Sequence, residues 1–301
     1  MSNPNKYSSN TGIVGVIGHP IKQTLSPLMH NYSFEAAGLD YVYLPFDVPV
    51  SNLKDALKGM IALNIKGFNV TLPLKEKIGS YLNDISEEAS VIGAVNTVVN
   101  ENGILHGYNT DVYGIIETLS PYHEELSGSI VTVIGGGGAA RSVIYALIRH
   151  FQAGSINIVN RTGQKAESLK DYFTEKMLYN NFKAYDLVPP DLVDVFKNSR
   201  FIINTTSIGM YPDYEDSATQ IVESFNDSQV VFDVIYNPLK TSFLKLAESR
   251  GAKTVNGLQM FVEQGARAFE LWTGEKMPVE SVYSLLEKKL AEIDASQISP
   301  I

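Results

Sequence analysis

The chain contains no cysteine, which excludes disulfide bonds, thiolate metal sites and cysteine nucleophiles. Basic residues are fewer than acidic ones, the net charge is -9, and no basic stripe is interleaved with aromatic residues. These features disfavour nucleic acid as a partner. No apolar run reaches the ~20 residues that span a bilayer, so we expect no membrane segment. The 5 histidines show no close ligand spacing, which disfavours a catalytic metal.

The chain begins with the polar stretch "MSNPNKYSSNTG", which lacks the apolar core and small-residue cleavage site of a secretory signal. This stretch predicts a frayed tail and a cytoplasmic location. The total of 301 residues allows either two domains or one large α/β domain with its own core.

Short β-rich runs alternate with helical patterns from residue 12 onward, which predicts a mainly parallel sheet covered by helices. The runs "GIVGVIGH", "YVYLPFDV" and "IKGFNVTL" are typical of strands, and "SPLMHNYSFEAAG" and "SNLKDALKGMIAL" are typical of helices. We expect Ser26 to be the N-cap of the first helix and Gly38 to close it. The stretch "AVNTVVNENGILHGYNTD" predicts two strands joined by a turn at Asn102 and Gly103.

A second αβ series follows a predicted helix near residues 111–120. It comprises a strand at 130–134, a helix at 138–151 and a strand at 156–160. The runs "RFIINTT" and "QVVFDVIY" predict further strands, each followed by a helix, and the last forty residues are helical in pattern. The expected fold class is therefore α/β, with two open, mainly parallel domains flanking a cleft, the second of Rossmann type.

The stretch "VIGGGGAAR" places Gly135, Gly137 and Gly138 between a predicted strand and a predicted helix. Because glycine has no side chain, these positions allow a tight turn and let backbone N–H groups approach a pyrophosphate. Flexible turns also use glycine, but the order of strand, loop and helix favours a dinucleotide site.

The next predicted strand ends at Asn160 and Arg161, where a cofactor with only ribose hydroxyls is usually met by Asp or Glu. Arg161, with Thr162 and Lys165 nearby, suits a 2'-phosphate because a guanidinium binds phosphate oxygens in a bidentate fork. The alternative is an exposed arginine at a helix entry. This pattern favours NADP over NAD.

Five polar residues stand at predicted strand ends in the first part of the chain: Asn69, Thr71, Lys75, Asn96 and Asp111. Taken singly, Lys75 has a simpler interpretation as a solvated lysine, Asn96 as a turn residue, and Asp111 as a helix N-cap or first-turn residue. Taken together, they predict a ligand site, because ligands of open α/β sheets bind at such ends.

The sequence resembles the shikimate dehydrogenases from about residue 12 to 285. The motifs that carry the resemblance stand in the family's order: "TLSP" at 24–27, "NVTLPLK" at 69–75, "GAVNT" at 93–97, "YNTD" at 108–111, "GGGGAAR" at 135–141, "NRT" at 160–162, "VIYNP" at 234–238 and "FVEQGA" at 261–266. One departure is Thr24, since the family's first motif is usually Ser-x-Ser-Pro. Its extra methyl group puts the preference between shikimate and quinate in question.

The resemblance implies that Lys75 and Asp111 are the catalytic pair. It implies a substrate site made of Thr24, Ser26, Asn69, Thr71, Lys75, Asn96, Asp111, Tyr236 and Gln264, although Tyr236 could be a buried aromatic and Gln264 a helix-surface amide. It implies a cofactor site made of Gly135, Gly137, Gly138, Ala139, Asn160, Arg161, Thr162, Lys165 and Gly257. The substrate domain would comprise residues 1–113 plus 259–301, and the NADP domain residues 114–258.

The implied activity is the reversible NADPH-dependent reduction of 3-dehydroshikimate to shikimate, in aromatic amino-acid biosynthesis, by a monomer or homodimer. Two alternatives are a quinate/shikimate dehydrogenase that uses NAD, and a noncatalytic NADP-binding sensor that kept the fold and lost the chemistry. Arg161 disfavours the first alternative, and the intact pair of Lys75 and Asp111 disfavours the second.

Overall fold

The computed structural model describes residues 7–22, 24–187, 189–220 and 222–298. Residues 1–6 of the predicted tail lie outside this range. The chain forms two compact units, one from Met1–Tyr113 and Val262–Leu286, the other from Gly114–Phe261 and Glu287–Ile301.

The first unit is built on a sheet of 6 strands in the order β2-β1-β3-β5-β6-β4. Its strands are β1 (Gly12–Gly18), β2 (Tyr41–Asp47), β3 (Gly67–Val70), β4 (Asp84–Ile85), β5 (Thr97–Glu101) and β6 (Ile104–Tyr108). The β1–β2, β1–β3 and β4–β6 pairs are parallel, whereas β5 is antiparallel to both β3 and β6. The antiparallel pairing of β5 with β6 follows from the predicted tight turn between them, in which Asn102 and Gly103 both have positive φ, as a type I' hairpin turn requires.

The second unit is built on a sheet of 6 strands in the order β12-β11-β10-β7-β8-β9, and every pairing in it is parallel. Its strands are β7 (Ile130–Ile134), β8 (Ser155–Asn160), β9 (Phe182–Asp186), β10 (Phe201–Asn204), β11 (Val230–Asp233) and β12 (Lys253–Val255). Read from the opposite edge, the order is 3-2-1-4-5-6, which is that of dinucleotide-binding sheets. The predicted fold class, α/β with mainly parallel sheets and a Rossmann-type second unit, is confirmed.

The α-helices lie between and after these strands. In chain order they are α1 (Ser26–Ala36), α2 (Leu53–Ala62), α3 (Glu87–Ile92), α4 (Asp111–Leu119), α5 (His123–Leu126), α6 (Gly138–Arg149), α7 (Gly163–Met177), α8 (Pro189–Lys197), α9 (Ser242–Glu248), α10 (Leu258–Thr273) and α11 (Val279–Ile298). Among the described residues, no helix is both long enough and apolar enough to cross a lipid bilayer.

Helix α1 shows how the sequence pattern becomes packing. Its buried residues recur every three or four positions and include Met29, His30, Ser33 and Phe34, so one face of the helix meets the core. The predicted N-cap is wrong by one position. The cap residue is Leu25, and Ser26 is the first helical residue, with its backbone N–H donating to the Thr24 hydroxyl at 3.2 Å.

Two further expectations fail in the second unit. No α-helix directly follows β10, since the described part of the connection to β11 contains only a 3-10 turn at Val222–Ser224. The predicted helix at 138–151 ends at Arg149. Each unit nevertheless has its own apolar core, with Phe68 and Leu57 in the first and Phe196 and Phe243 in the second.

Candidate active site

Strand direction brings the polar residues of the first unit to one edge of its sheet. Asn69 lies near the end of β3, and Asn96 lies just before β5. Because β5 runs antiparallel to β3, with Asn69 opposite Thr97, the start of β5 meets the end of β3. Asp111 begins α4 just beyond the end of β6, which is paired with β5 at the same edge.

Lys75 and Asp111 form the central contact of this edge. The Lys75 Nζ atom donates to Asp111 Oδ2 at 2.6 Å, and the two side chains are only 17% and 6% exposed. This is a partly buried ion pair, so the interpretation of Lys75 as a solvated lysine is wrong. Within the described residues, Asp111 is the one side-chain partner of the ammonium, which retains two N–H groups for other acceptors.

Asn96 holds the other oxygen of the Asp111 carboxylate. The Asn96 Oδ1 atom accepts the backbone N–H of Thr110 at 2.6 Å, which fixes the orientation of the amide because a backbone N–H can only donate. The Asn96 Nδ2 atom therefore faces Asp111 Oδ1, at 2.8 Å. Gln264, which lies 168 positions further along the chain, contacts the same amide, with its Oε1 atom 3.5 Å from Asn96 Nδ2. Lysine and amide together hold Asp111 in a fixed position.

Asn69 has a similarly fixed amide. Its Nδ2 atom donates to the Asn96 carbonyl at 3.3 Å and to the Thr97 hydroxyl at 3.0 Å, and its Oδ1 accepts the Tyr43 hydroxyl at 2.7 Å. Because the Asn96 carbonyl can only accept, the Nδ2 atom of Asn69 must face it, which fixes the orientation of the Asn69 amide. The Asn69 Oδ1 atom keeps one lone pair for a further donor. Thr71, just beyond β3, has no side-chain hydrogen bond within the described residues, so its hydroxyl is available to a ligand.

His30 supports this arrangement from the core. Its ring stacks on Tyr43 with centroids 4.4 Å apart, it is fully buried, and neither ring nitrogen has a hydrogen-bond partner among the described residues. Burial lowers the pKa of His30 to about 3, which keeps the ring neutral. No three His, Asp or Glu side chains in the described part of the chain are grouped as a metal site requires.

The other predicted substrate residues fall into two places. Thr24 and Ser26 contact each other, with their hydroxyl oxygens 3.0 Å apart, at the start of α1 in the first unit. Tyr236 belongs to the second unit, where its ring stacks on Phe261 with centroids 4.1 Å apart.

Asp233 lies three positions before Tyr236 and is buried. Its side chain accepts hydrogen bonds from Asn204, Ile235 and Thr241, and burial raises the pKa of Asp233 to about 7.

The glycine loop of the second unit fits a dinucleotide. Gly135 has φ +120, and a Cβ there would lie 2.4 Å from the Thr205 hydroxyl oxygen, so only glycine is tolerated. Helix α6 begins at Gly138, and no side chain caps its start. The first-turn amides of α6, which include Ala139, are thus free to bind a phosphate with the favourable end of the helix dipole.

The segment beyond β8 carries the predicted 2'-phosphate residues. Asn160 ends the strand and donates through Nδ2 to the Thr162 carbonyl at 3.0 Å, which shapes the turn. Arg161 and Lys165 are exposed and form no ion pair within the described residues, so both cations remain available. Gly257 is required for a different reason, because a Cβ there would lie 2.1 Å from the Val234 carbonyl oxygen.

Fold and site together define a class: a two-unit α/β protein with a Rossmann-type dinucleotide sheet and a separate lysine–aspartate site. A family model described as "Shikimate dehydrogenase substrate binding domain" matches residues 16–98. "Shikimate / quinate 5-dehydrogenase" matches residues 118–238, and "Shikimate 5'-dehydrogenase C-terminal domain" matches residues 257–287.

Individual proteins agree with these matches. The chain is 46% identical, over 95% of its length and 100% of the relative's, to a shikimate dehydrogenase (NADP(+)) of Caldanaerobacter subterraneus. It also matches a crystal structure of a shikimate dehydrogenase in complex with NADP+, with 40% identity, a TM-score of 0.85 and coverage of 94% and 97%. A shikimate 5-dehydrogenase of Listeria monocytogenes, in complex with shikimate and NAD, gives 35% identity, a TM-score of 0.82 and coverage of 95% and 100%. The chain belongs to the shikimate dehydrogenase family.

Sequence reasoning missed several contributors to the site. Thr97 and Thr110 lie in quoted motifs, and their hydroxyls, 3.0 Å apart, connect the amides of Asn69 and Asn96. Tyr43 had no sequence signal, because it lies in a strand where a buried aromatic is expected.

Proposed function

We propose that this protein catalyses the reversible NADPH-dependent reduction of 3-dehydroshikimate to shikimate, a step of aromatic amino-acid biosynthesis. Membership of the family, the NADP+ and shikimate complexes of its relatives, and the site geometry support this reaction. NADP, when bound, supplies or accepts the hydride. The protein's own residues bind and orient the substrate and move one proton.

The ion pair of Lys75 and Asp111 is the observation that carries the proposal. A lysine ammonium beside the ketone oxygen stabilises developing negative charge and donates a proton to it. Asp111 holds the ammonium in place, and Asn96 holds Asp111. Because the two groups are in direct contact, the proton transfer is assigned to the pair rather than to one member.

The surrounding residues would bind the substrate's hydroxyls and carboxylate. Asn69 can only accept through its free Oδ1 lone pair, so it would meet a substrate hydroxyl that donates. Thr71 has a free hydroxyl that serves as donor or acceptor. We assign Thr24 and Ser26 to the carboxylate, and Gln264 and Tyr236 complete the proposed substrate set.

The cofactor would bind the second unit. The uncapped start of α6, with Gly135, Gly137, Gly138 and Ala139, suits the pyrophosphate. Asn160, Arg161, Thr162 and Lys165 suit the 2'-phosphate of NADP. Gly257 is the remaining residue of the proposed cofactor set.

Further parts of the proposal concern organisation. We assign substrate binding to residues 1–113 plus 259–301 and NADP binding to residues 114–258. We also propose a monomer or homodimer in the cytoplasm, with a small-molecule substrate and no nucleic-acid partner, the last in keeping with the net charge of -9. Light scattering on the purified protein and fractionation of the source cells test the oligomeric state and the location.

The decisive assay follows the absorbance of the NADPH or NADH formed, with shikimate or quinate as substrate and NADP or NAD as cofactor, in all four combinations. We expect the highest kcat/KM with shikimate and NADP. A higher kcat/KM with quinate would assign the protein to quinate oxidation instead. Cofactor binding with no turnover in any combination would indicate the noncatalytic sensor.

A further inference from the structure

A carboxylate lies beside the segment that carries the proposed 2'-phosphate residues. Asp186 is the last residue of β9, and in the parallel register of β8 and β9 it pairs with Asn160. Asn160 directly precedes Arg161. The end of β9 therefore brings a negative charge to the place where the end of β8 brings a positive one.

The Asp186 carboxylate covers the start of α7. Its Oδ1 atom accepts the backbone N–H of Gly163, the first residue of α7, at 2.5 Å. A Cβ at Gly163 would lie 2.3 Å from Oδ1 and 2.9 Å from Oδ2, so the close approach requires glycine. Within the described residues, Gly163 is the only hydrogen-bond partner of this carboxylate, and Oδ2 can accept a further hydrogen bond.

The two helices of the cofactor region thus differ at their N-termini. The start of α6 has no side-chain cap, and a phosphate can take its amides without competition. The start of α7 is already occupied by a carboxylate. A 2'-phosphate bound beside α7 meets this like charge, which weakens its binding. A ribose 2'-hydroxyl, in contrast, can donate a hydrogen bond to Asp186 Oδ2.

Asp186 does not neutralise the arginine of the same region. Arg161 is exposed and forms no ion pair with any described residue. Toward a cofactor bound at this segment, Arg161 would favour the 2'-phosphate, whereas Asp186 would favour the 2'-hydroxyl. We propose that Asp186 is a specificity-determining residue that lowers the preference for NADP over NAD, so that this enzyme uses both cofactors. This inference rests on the cofactor site of the proposed function.

The test uses ligand fragments that differ only in the 2'-phosphate. Binding of 2',5'-ADP and of 5'-AMP is measured by titration calorimetry for the wild-type protein, Asp186→Asn and Asp186→Ala. Asp186→Asn removes the charge but keeps an oxygen acceptor for the Gly163 N–H. Asp171→Asn is the matched control, because it removes an aspartate that is 76% exposed and lies farther along the same helix.

We expect Asp186→Asn to raise the affinity ratio of 2',5'-ADP to 5'-AMP about tenfold, equivalent to about 1.4 kcal/mol. The kcat/KM ratio of NADP to NAD should shift in the same direction, and Asp171→Asn should change neither ratio by more than about twofold.

An unchanged ratio in Asp186→Asn, with a lower Tm in Asp186→Ala, would show that the carboxylate only caps α7, and the inference would be overturned. Failure of the wild-type protein to bind either fragment would overturn both the inference and the proposed cofactor site. A shifted fragment ratio without shikimate oxidation would support the role of Asp186 and reject the proposed reaction alone.

Discussion

At the scale of single residues, the pair of Lys75 and Asp111 combines a structural and a chemical role. Asp111 is nearly buried, and two donors, Lys75 and Asn96, compensate its charge. Removing one partner of a buried pair leaves an uncompensated charge, which costs stability as well as activity. A test of the catalytic role must therefore separate turnover from folding.

We predict that Lys75→Ala lowers kcat by about 10²–10⁴-fold, the usual contribution of a general acid-base group. The KM for NADP should stay within about twofold, because the cofactor residues lie in the other unit. Steady-state kinetics at saturating shikimate give both values, and circular dichroism confirms the fold. Lys77 is an exposed lysine two positions after Lys75, so Lys77→Ala is the matched control and should leave kcat unchanged. Wild-type kcat in Lys75→Ala would reject the proton-donor role.

Arg161→Ala addresses cofactor recognition at the same scale. We predict a rise of at least about tenfold in the KM for NADP and a much smaller rise for NAD, because only NADP offers the phosphate that the guanidinium binds. Measuring the KM for each cofactor tests this prediction. Arg149, an exposed arginine at the end of α6, provides the control variant Arg149→Ala. Equal rises for both cofactors would mean that Arg161 does not contact the 2'-phosphate.

The sequence indicated Lys75 and Asp111 because both stand where predicted strands end. It did not indicate how they are held. The orientation of Asn96 depends on the Thr110 amide, and that of Asn69 depends on Tyr43, 26 positions away. Such partners are brought together by strand pairing, and no local pattern marks them. Asp186 acts on Gly163 from 23 positions away for the same reason.

At the scale of secondary-structure elements, the part of α10 in the first unit makes a close contact with β3 and β5. The Trp272 indole Nε1 donates to the Val98 carbonyl on β5 at 3.0 Å and crosses over Gly67 at the start of β3. A Cβ at Gly67 would lie 2.3 Å from Nε1 and 2.6 Å from the Val98 oxygen. The absence of a side chain at Gly67 lets the indole reach the backbone of the sheet.

We predict that Gly67→Ala lowers the free energy of unfolding by about 1–3 kcal/mol, because the added methyl group overpacks a buried contact. Gly59→Ala in α2 is the matched control, since a Cβ there meets nothing within 4 Å. It should raise stability by about 0.5–1 kcal/mol through helix propensity. Urea unfolding of both variants measures the two changes. A neutral Gly67→Ala would show that the indole moves aside without cost.

Most elements could be predicted from apolar alternation and glycine or asparagine turns. The strands that were not predicted are β4, β9 and β12, which have two to five residues and stand at the edges of their sheets. Edge strands are partly exposed, so "FKAYD" and "KTV" lack the apolar run that marks a buried strand. The helix predicted after β10 was wrong for another reason. It was expected from the alternation of strands and helices, although the connection itself has no helical periodicity.

At the scale of the whole molecule, each unit contains a fully buried titratable group whose pKa is strongly shifted. The first buries His30 against Tyr43 and Trp272, and burial lowers the pKa of the ring to about 3. The second buries Asp233, whose pKa burial raises to about 7 against the effect of its three hydrogen-bond donors. Both groups are therefore favoured in their neutral forms.

The two shifts have opposite consequences for stability. The pKa of His30 is about 3 in the folded protein and ordinarily 6.5. At pH values between these two, His30 takes up a proton only on unfolding, so the first unit loses stability as pH falls. The pKa of Asp233 is ordinarily 3.8 and about 7 in the folded protein. At pH values between these two, Asp233 releases a proton on unfolding, so the second unit loses stability as pH rises. Each group contributes at most about 1.4 kcal/mol per pH unit.

We predict that His30→Leu removes a pH-dependent loss of stability in the first unit between pH 6.5 and about pH 5, because the leucine has no proton to bind. Trp272, the only tryptophan of the chain, lies in that unit, and its fluorescence during urea unfolding reports the effect. Asp233→Asn should remove the opposite slope in the second unit, which hydrogen exchange at β10 and β11 follows. His150→Gln, a change at an exposed histidine, should alter neither slope. If His30→Leu leaves the fluorescence-detected slope unchanged, the buried ring is not the group that couples the first unit to pH.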